Sequence, residues 1–404
     1  MADFTQGGGI GTLHNLRHRP LEMLEEELIE ASVDMPMALV LPCLYSELEG
    51  PALQGIVEKL SEVKYLSEII IGLDRADRPQ FEHARKFFAQ LNQPHVILWN
   101  DGDRLQEVDR QIATKGLAPT ELGKGRNAWY CMGYFLASDK AKAMAMHDCD
   151  ILTYDRELLS RLLYPIVHPS LNYVFSKGYY YRAADGKLNG RVCRLLVTPL
   201  ILAMKQTLGH LPYLSYMGGF RYPLSGEVAM RAEVVDSLRI PSDWGLEIGT
   251  LSEMYRNFAT HRICQVDVAD AYDHKHQEVS PEDATKGLNR MSVDICKAFI
   301  RKLAVDGVVF SNEMFRTLKA CYYRTALGLL DHFYADATMA GLNLDRHKES
   351  QTIELFAQSL MQAGEAFLVN PDASPFISSW SRVTSALPDV LDSLRDAVAA
   401  DAVE

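Results

Sequence analysis

Residues 143–150 read Ala143-Met144-Ala145-Met146-His147-Asp148-Cys149-Asp150, a short apolar run that ends in two aspartates one residue apart. A run of this length bounded by polar residues fits a buried strand. Alternate side chains of an extended chain share a face, so Asp148 and Asp150 can address one cation, and their hard oxygens suit Mg2+ or Mn2+. Solvated turn aspartates give the same spacing. What favours a metal here is the place at the end of an apolar strand, where open α/β sheets bind ligands. Mg2+ usually keeps substrate phosphates in its shell, so a nucleoside diphosphate derivative is the matching substrate.

Working outward, comparable apolar runs occupy 37–41, 68–73, 95–99 and 172–176, most of them separated by amphipathic, helix-like stretches such as 50–63 and 81–91. Short apolar strands alternating with helices predict a mixed, mostly parallel α/β sheet covered on both faces. Upstream, Pro20 followed by Leu21, Leu24 and Leu28 predicts a surface helix. Gly7, Gly8, Gly9 and Gly11 precede any strand and read as a flexible leader, not a nucleotide loop. Downstream, Ser280-Pro281-Glu282-Asp283 is a capping-box-like start, with successive helices expected near 281–304, 311–340, 346–368 and 386–400. The expected division is a leader at 1–19, a catalytic α/β domain at 20–280 and a helical module at 281–404. The apolar face carrying Leu327, Leu330 and Phe333 would pack on the catalytic domain or on a second subunit.

With 404 residues, 48% of them apolar and 23% charged, the chain is globular and needs no disulfide staples. A net charge of -12 disfavours nucleic acid, so an anionic ligand must be met by a local basic site. The seven cysteines are scattered with no CxxC pair, which fits a reducing cytoplasm. The first twenty residues lack the order of a signal peptide, and no apolar run approaches the roughly 20 residues of a membrane span, so we expect a soluble cytoplasmic protein.

Further candidates follow the other strands. The first runs into Pro42-Cys43-Leu44-Tyr45-Ser46-Glu47 and the second into Asp74-Arg75-Ala76-Asp77. Gly123-Lys124-Gly125 is not a P-loop, yet a lysine flanked by glycines can approach a diphosphate; as an isolated pattern it reads as an exposed loop. Between 177 and 194 stand Lys177, Arg182, Lys187, Arg191 and Arg194 against one acid, Asp185, which reads as a solvated loop or as a cradle for an anionic acceptor. The glycine-punctuated loop from Gly218 to Glu227 precedes a helix-like stretch at 228–238. Glu247 sits in the apolar setting Gly245-Leu246-Glu247-Ile248-Gly249, as a structural pair or facing a substrate hydroxyl. His274-Lys275-His276 could complete a metal shell or lie in a surface loop.

In this order, Leu41-Pro42-Cys43-Leu44, Gly123-Lys124-Gly125, Asp148-Cys149-Asp150, Gly190-Arg191-Val192, Pro223-Leu224-Ser225-Gly226-Glu227, Gly245-Leu246-Glu247-Ile248-Gly249, and Gln265-Val266 leading to His274 resemble the retaining glucosyl-3-phosphoglycerate synthases and their mannosyl-transferring relatives. The resemblance implies a GT-A nucleotide-sugar fold and glucose transfer from UDP-glucose to 3-phosphoglycerate, with Mg2+ or Mn2+ as cofactor and a homodimer as the assembly. It places Pro42, Leu44, Glu47 and Asp74 at the donor nucleoside, Lys124 at the diphosphate, and Asp148, Asp150 and His274 on the metal. Leu224, Gly226 and Glu247 would face the donor sugar, and Arg191 would grip the acceptor. Asp150, Glu247 and Arg191 are the expected catalytic set, in a pathway to a compatible solute of the glucosylglycerate type. Two positions depart from the family pattern: Cys193 replaces a threonine and His276 an asparagine. The acceptor site must then be held differently, by His276, Lys177 or Arg194. Alternatives are a GDP-sugar donor for glucosyl or mannosyl transfer, an unphosphorylated glycerate acceptor, or a catalytically idle sugar-nucleotide-binding module.

Overall fold

The computed structural model describes residues 6, 9–17, 19–273 and 287–403. Among them, the strands in chain order are β1 (Gly11–Leu13), β2 (Met37–Leu44), β3 (Leu66–Asp74), β4 (His95–Trp99), β5 (Ala143–Met146), β6 (Phe175–Tyr180), β7 (Ala183–Ala184), β8 (Lys187–Leu188), β9 (Val228–Arg231) and β10 (Ile263–Ala269). Eight form one sheet in the order β1-β10-β6-β9-β5-β2-β3-β4, while β7 and β8 pair as a small hairpin. Every pairing in the large sheet is parallel except the two that β9 makes with β5 and β6.

Strands β2 and β5 are apolar at every position because both faces are covered. Ala38, Val40, Met144 and Met146 enter one core, with Leu105 and Trp129 from helices Asp103–Ala113 and Lys124–Ser138. Leu39, Leu41, Ala143 and Ala145 enter the other, with Ile56, Phe81 and Leu159 from helices Pro51–Leu60, Arg78–Phe88 and Arg156–Val167. No described helix is long and apolar enough to cross a membrane.

The direction of β9 positions the site. Val228 at its start lies opposite both Met146 and Lys177. The loop that enters β9, carrying Leu224 to Glu227, therefore arrives at the edge where β2, β3, β5 and β6 end. The sequence pattern had suggested a helix over 228–238; four residues are strand and helix Ala232–Ser237 follows. The strand expected at 172–176 begins at Phe175, just after Val174, whose N–H already donates to the Arg262 carbonyl at 2.9 Å. The leader expected at 1–19 is not free where it is described, since β1 pairs with Cys264, Gln265 and Val266 of β10.

The C-terminal part contains helices Gly287–Val305, Asn312–Met339, Arg346–Val369, Trp380–Ala386 and Val390–Val403. It does not close a core of its own: Phe299, Leu318, Phe356 and Trp380 belong to the cluster that holds Ala38 and Val40. Leu330 is buried there, and Phe333 lies 5.2 Å beneath the Arg194 guanidinium, so this helix face packs on the α/β domain.

Candidate functional site

Strand ends and two helix starts converge at the carboxyl edge of the sheet. Lys124 is the first residue of helix Lys124–Ser138, whose N-terminus has Gly123 and no side-chain cap. The expected exposed loop is thus the start of a buried helix, a position that favours anions. Lys124 Nζ lies 2.6 Å from Asp148 Oδ1 and 3.5 Å from Glu247 Oε1. Burial works against its charge, but Asp148 and Glu247 outweigh it and raise the ammonium above its ordinary range. Glu247 comes from the first turn of helix Leu246–Asn257.

Gly226 closes the floor. A Cβ there would fall 2.5 Å from Asp148 Oδ2 and 2.9 Å from Lys124 Nζ, so only glycine leaves room for that ion pair. The neighbouring Glu227 is fully buried and held by three hydroxyls: Tyr180 donates at 2.7 Å, Tyr272 at 2.7 Å and Ser225 at 2.9 Å. Tyr180 and Tyr272 stack face to face with centroids 3.6 Å apart. Lys177, also buried, donates to the Ser225 carbonyl at 2.6 Å. Burial pushes its ammonium down to about 8, against the pull of Glu247 and Glu227.

Asp150 is raised by burial first and by Asp148 second, with Glu47 and Glu227 adding to the push and Lys124 opposing it. Carboxyls crowded in this way are relieved by a divalent cation, so Asp148 and Asp150 suit Mg2+ or Mn2+ by charge and by donor type. Among the described residues no group of three or more His, Cys, Asp or Glu has metal-holding geometry. His274 and His276, expected at the metal and the acceptor, lie outside the described residues.

The donor-side strand ends are adjacent in register. Pro42 pairs with Gly72 and Leu44 with Asp74. Asp74 accepts a hydrogen bond from Asn100 at 2.6 Å; burial pushes its carboxyl up and the Asn100 bond opposes that. Asn127, one turn beyond Lys124, donates to the Gly72 carbonyl at 2.8 Å and so ties the lysine's helix to β3.

The acceptor-side expectations fare unevenly. Arg191 is half-buried and starts the π-helical turn Val192–Val197. Cys193 is buried, and burial pushes its thiol up to about 12, so it brings no charge to an anion. Arg194 corrects the expectation outright. Both its terminal nitrogens bond the buried Glu349 carboxylate, at 2.7 and 3.0 Å, and its other donors take the Asn189 and Leu188 carbonyls. Arg194 fastens the helical module to the α/β domain; it does not face an acceptor. Glu227, Tyr180, Tyr272, Asn100 and Asn127 were absent from the expected site. The Ser225-Gly226-Glu227 run was the one signal for Glu227, and its tyrosine partners lie 47 and 45 residues away, at the end of β6 and just past β10.

No family model matches the chain. It is 45% identical to the glucosyl-3-phosphoglycerate synthase of Persephonella marina over 401 residues, 99% of both chains. It is 37% identical to that of Methanococcoides burtonii over 388 residues, 95% of this chain and 94% of the relative. Among solved structures, the Mycobacterium tuberculosis glucosyl-3-phosphoglycerate synthase with Mn2+, UDP-glucose and phosphoglyceric acid superposes with a TM-score of 0.52 at 20% identity, over 75% of this chain and 89% of that one. The mannosyl-3-phosphoglycerate synthase of Rubrobacter xylanophilus gives 0.54 at 17% identity, over 74% and 83%. Both likenesses bear on the fold, which is that of GT-A glycosyltransferases.

Proposed function

Because the chain belongs to the glucosyl-3-phosphoglycerate synthase family of glycosyltransferases, we propose that it moves glucose from UDP-glucose to the free hydroxyl of 3-phosphoglycerate, with retention at the anomeric carbon and a divalent cation as cofactor. The observation that carries the reading is the convergence of Lys124, Asp148 and Glu247 on the cradle that Gly226 leaves open. Relatives named for this activity match the full length, and a solved neighbour holds UDP-glucose, phosphoglyceric acid and Mn2+ together.

The bond to be broken joins the anomeric carbon to a diphosphate, so negative charge develops on the leaving oxygen. Lys124 is positioned to meet that charge, helped by the uncapped N–H groups of its helix. Asp148 and Asp150, with His274, would hold the cation, which when bound supplies further positive charge at the leaving group. Glu247 accepts hydrogen bonds from the donor sugar, and Arg191 pairs with the acceptor's phosphate or carboxylate. The acceptor hydroxyl attacks from the leaving-group face and gives its proton to the departing diphosphate oxygen, so no enzyme nucleophile is required. The α/β part performs the chemistry and the helical module supports it, in a cytoplasmic homodimer that feeds compatible-solute synthesis.

Purified protein assayed with UDP-glucose, GDP-glucose and GDP-mannose against 3-phosphoglycerate and glycerate tests this. We expect turnover with UDP-glucose and 3-phosphoglycerate, lost in EDTA and restored by Mg2+ or Mn2+. Preference for a GDP-sugar or for glycerate would reassign the substrates, and no turnover with any pair would leave an idle binding module.

A further inference from the structure

We propose that the C-terminal segment 374–380 is a positioning element for the transfer reaction, holding Lys124 and Glu247 at their working separation through a strap at residues 240–242. This inference rests on the glucosyl-transfer reading and adds a role for residues that touch neither substrate.

Pro241 is wedged between the two helix starts that carry the charged pair. A Cβ on Gly125, next to Lys124, would lie 2.2 Å from the Pro241 carbonyl oxygen and 2.9 Å from Ser242 Cα. A Cβ on Gly249, two residues after Glu247, would lie 2.2 Å from Pro241 Cγ and 2.9 Å from Cδ. Both helices thus pack backbone-close on one residue, and both spacings depend on a missing methyl group. A glycine inside a helix lowers helix stability, so its occurrence in both first turns points to the need for this approach.

The strap is held from outside. Ser242 donates to the Pro375 carbonyl through N–H at 2.9 Å and through its hydroxyl at 3.1 Å. Ile377 N–H donates to the Ile240 carbonyl at 2.9 Å, so Pro241 and Phe376 bridge as antiparallel strands do. Phe376 Cζ stands 3.3 Å from the Gly249 Cβ position and its ring lies beneath Arg239. Beyond it, Trp380 stacks on Trp129 with centroids 4.2 Å apart and donates to the Trp129 carbonyl at 2.9 Å. Trp129 returns a bond to the Ser378 carbonyl at 2.8 Å. The Trp380 ring fills the space that a side chain on Gly133 would take, with ring atoms 2.1 Å from that Cβ position.

These contacts close a ring. The helix that begins at Lys124 carries Trp129, Trp129 anchors segment 374–380, that segment holds the strap, and the strap seats the start of the same helix and that of Glu247. The pair cannot separate without breaking a buried link. Fixing charged groups before the substrate arrives is what lets them act on the transition state without reorganising.

The test combines displacement, rescue and a surface variant, with kcat and KM for UDP-glucose and 3-phosphoglycerate measured well below the thermal midpoint. Gly249→Ala drives a methyl into the Pro241 ring while giving the helix a better former. We expect kcat to fall about 10- to 100-fold, with the thermal midpoint lowered as well because the proline ring has no free end that can move aside. Pro241→Ala removes the clashing ring carbons, so the double variant recovers most of the lost kcat. Gly125→Ala clashes with the Pro241 carbonyl oxygen instead, and Pro241→Ala does not rescue it. Phe376 is only half-buried, so Phe376→Ala folds even if the glycine variants do not; it lowers kcat several-fold, and Phe376→Leu restores it. A purely structural role would lower the midpoint and leave kcat unchanged. Wild-type kcat in Gly249→Ala and Phe376→Ala, or a double variant no faster than Gly249→Ala, overturns the inference while the transfer reading stands. A wild-type protein with no turnover sinks that reading and the inference with it.

Discussion

Gly226→Ala isolates the geometry of the proposed site from its chemistry, since it adds one methyl and removes no functional group. Gly226 lies outside the left-handed region, so alanine brings no backbone strain. The added carbon would sit 2.5 Å from Asp148 Oδ2, and ordinary contact begins at 3.4 Å, so the carboxylate must retreat by about 0.9 Å (3.4 − 2.5). Lys124 Nζ, at 2.9 Å, must give way by about 0.5 Å (3.4 − 2.9). Both atoms end flexible side chains, so the fold absorbs the change at small cost in stability. A misplacement near 1 Å at a reacting centre costs about 100-fold in rate, or about 2.7 kcal/mol in the barrier. We therefore expect kcat with UDP-glucose and 3-phosphoglycerate to drop by about two orders of magnitude, the Mg2+ concentration for half-activation to rise, and the thermal midpoint to stay within a few degrees. Steady-state kinetics across a Mg2+ titration, with thermal unfolding alongside, provides the reading. A variant that keeps kcat within twofold of wild type would refute the assignment of Asp148 and Lys124 to the reacting diphosphate.

Lys124→Met should lower kcat by about 100- to 1,000-fold by removing charge opposite the leaving group, and a loss confined to KM would assign the lysine to ground-state binding. Glu349→Gln leaves the buried Arg194 guanidinium without its counter-charge; about 3–5 kcal/mol of stability should go, read from the denaturant midpoint, while KM for 3-phosphoglycerate stays within twofold. A large KM change would return Arg194 to the acceptor site. His147 is fully buried, with Nδ1 3.2 Å from the Tyr154 hydroxyl, and burial pushes its imidazole down to about 3 from an ordinary 6.5, Asp148 opposing. The fold therefore favours the neutral ring. Its contribution is intact above pH 6.5 and falls as the unfolded chain takes up a proton that the folded one refuses, by about 3 kcal/mol on going to about pH 4.5. His147→Gln should flatten that part of the stability–pH curve, and an unchanged slope between wild type and variant would count against it.

Strands β2, β3 and β5 were legible because both their faces are buried, which leaves continuous apolar runs such as 37–41, 69–71 and 143–146. β9 was not, since Val228 to Arg231 followed directly by helix Ala232–Ser237 presents one apolar stretch with no punctuation. That short strand is nonetheless what delivers Gly226 and Glu227 to Asp148. Gly125 reads locally as a helix breaker, and the reason a helix tolerates it there is the Pro241 carbonyl 116 positions on (241 − 125). Charge was legible and its use was not. The excess between 177 and 194 pointed to an anion cradle, yet Arg194 answers Glu349, a partner 155 residues away, and Lys177 answers a backbone carbonyl. Local patterns identified Asp148, Lys124 and Glu247 as candidates; only the sheet's order brings them together.

The most direct measurement is proton NMR of the purified protein turning over UDP-glucose and 3-phosphoglycerate, with Mg2+ and again with EDTA. The account predicts that the anomeric doublet of UDP-glucose gives way to a new α-anomeric signal of glucosyl-3-phosphoglycerate in Mg2+ alone. A β-anomeric product, or transfer at full rate in EDTA, would contradict it.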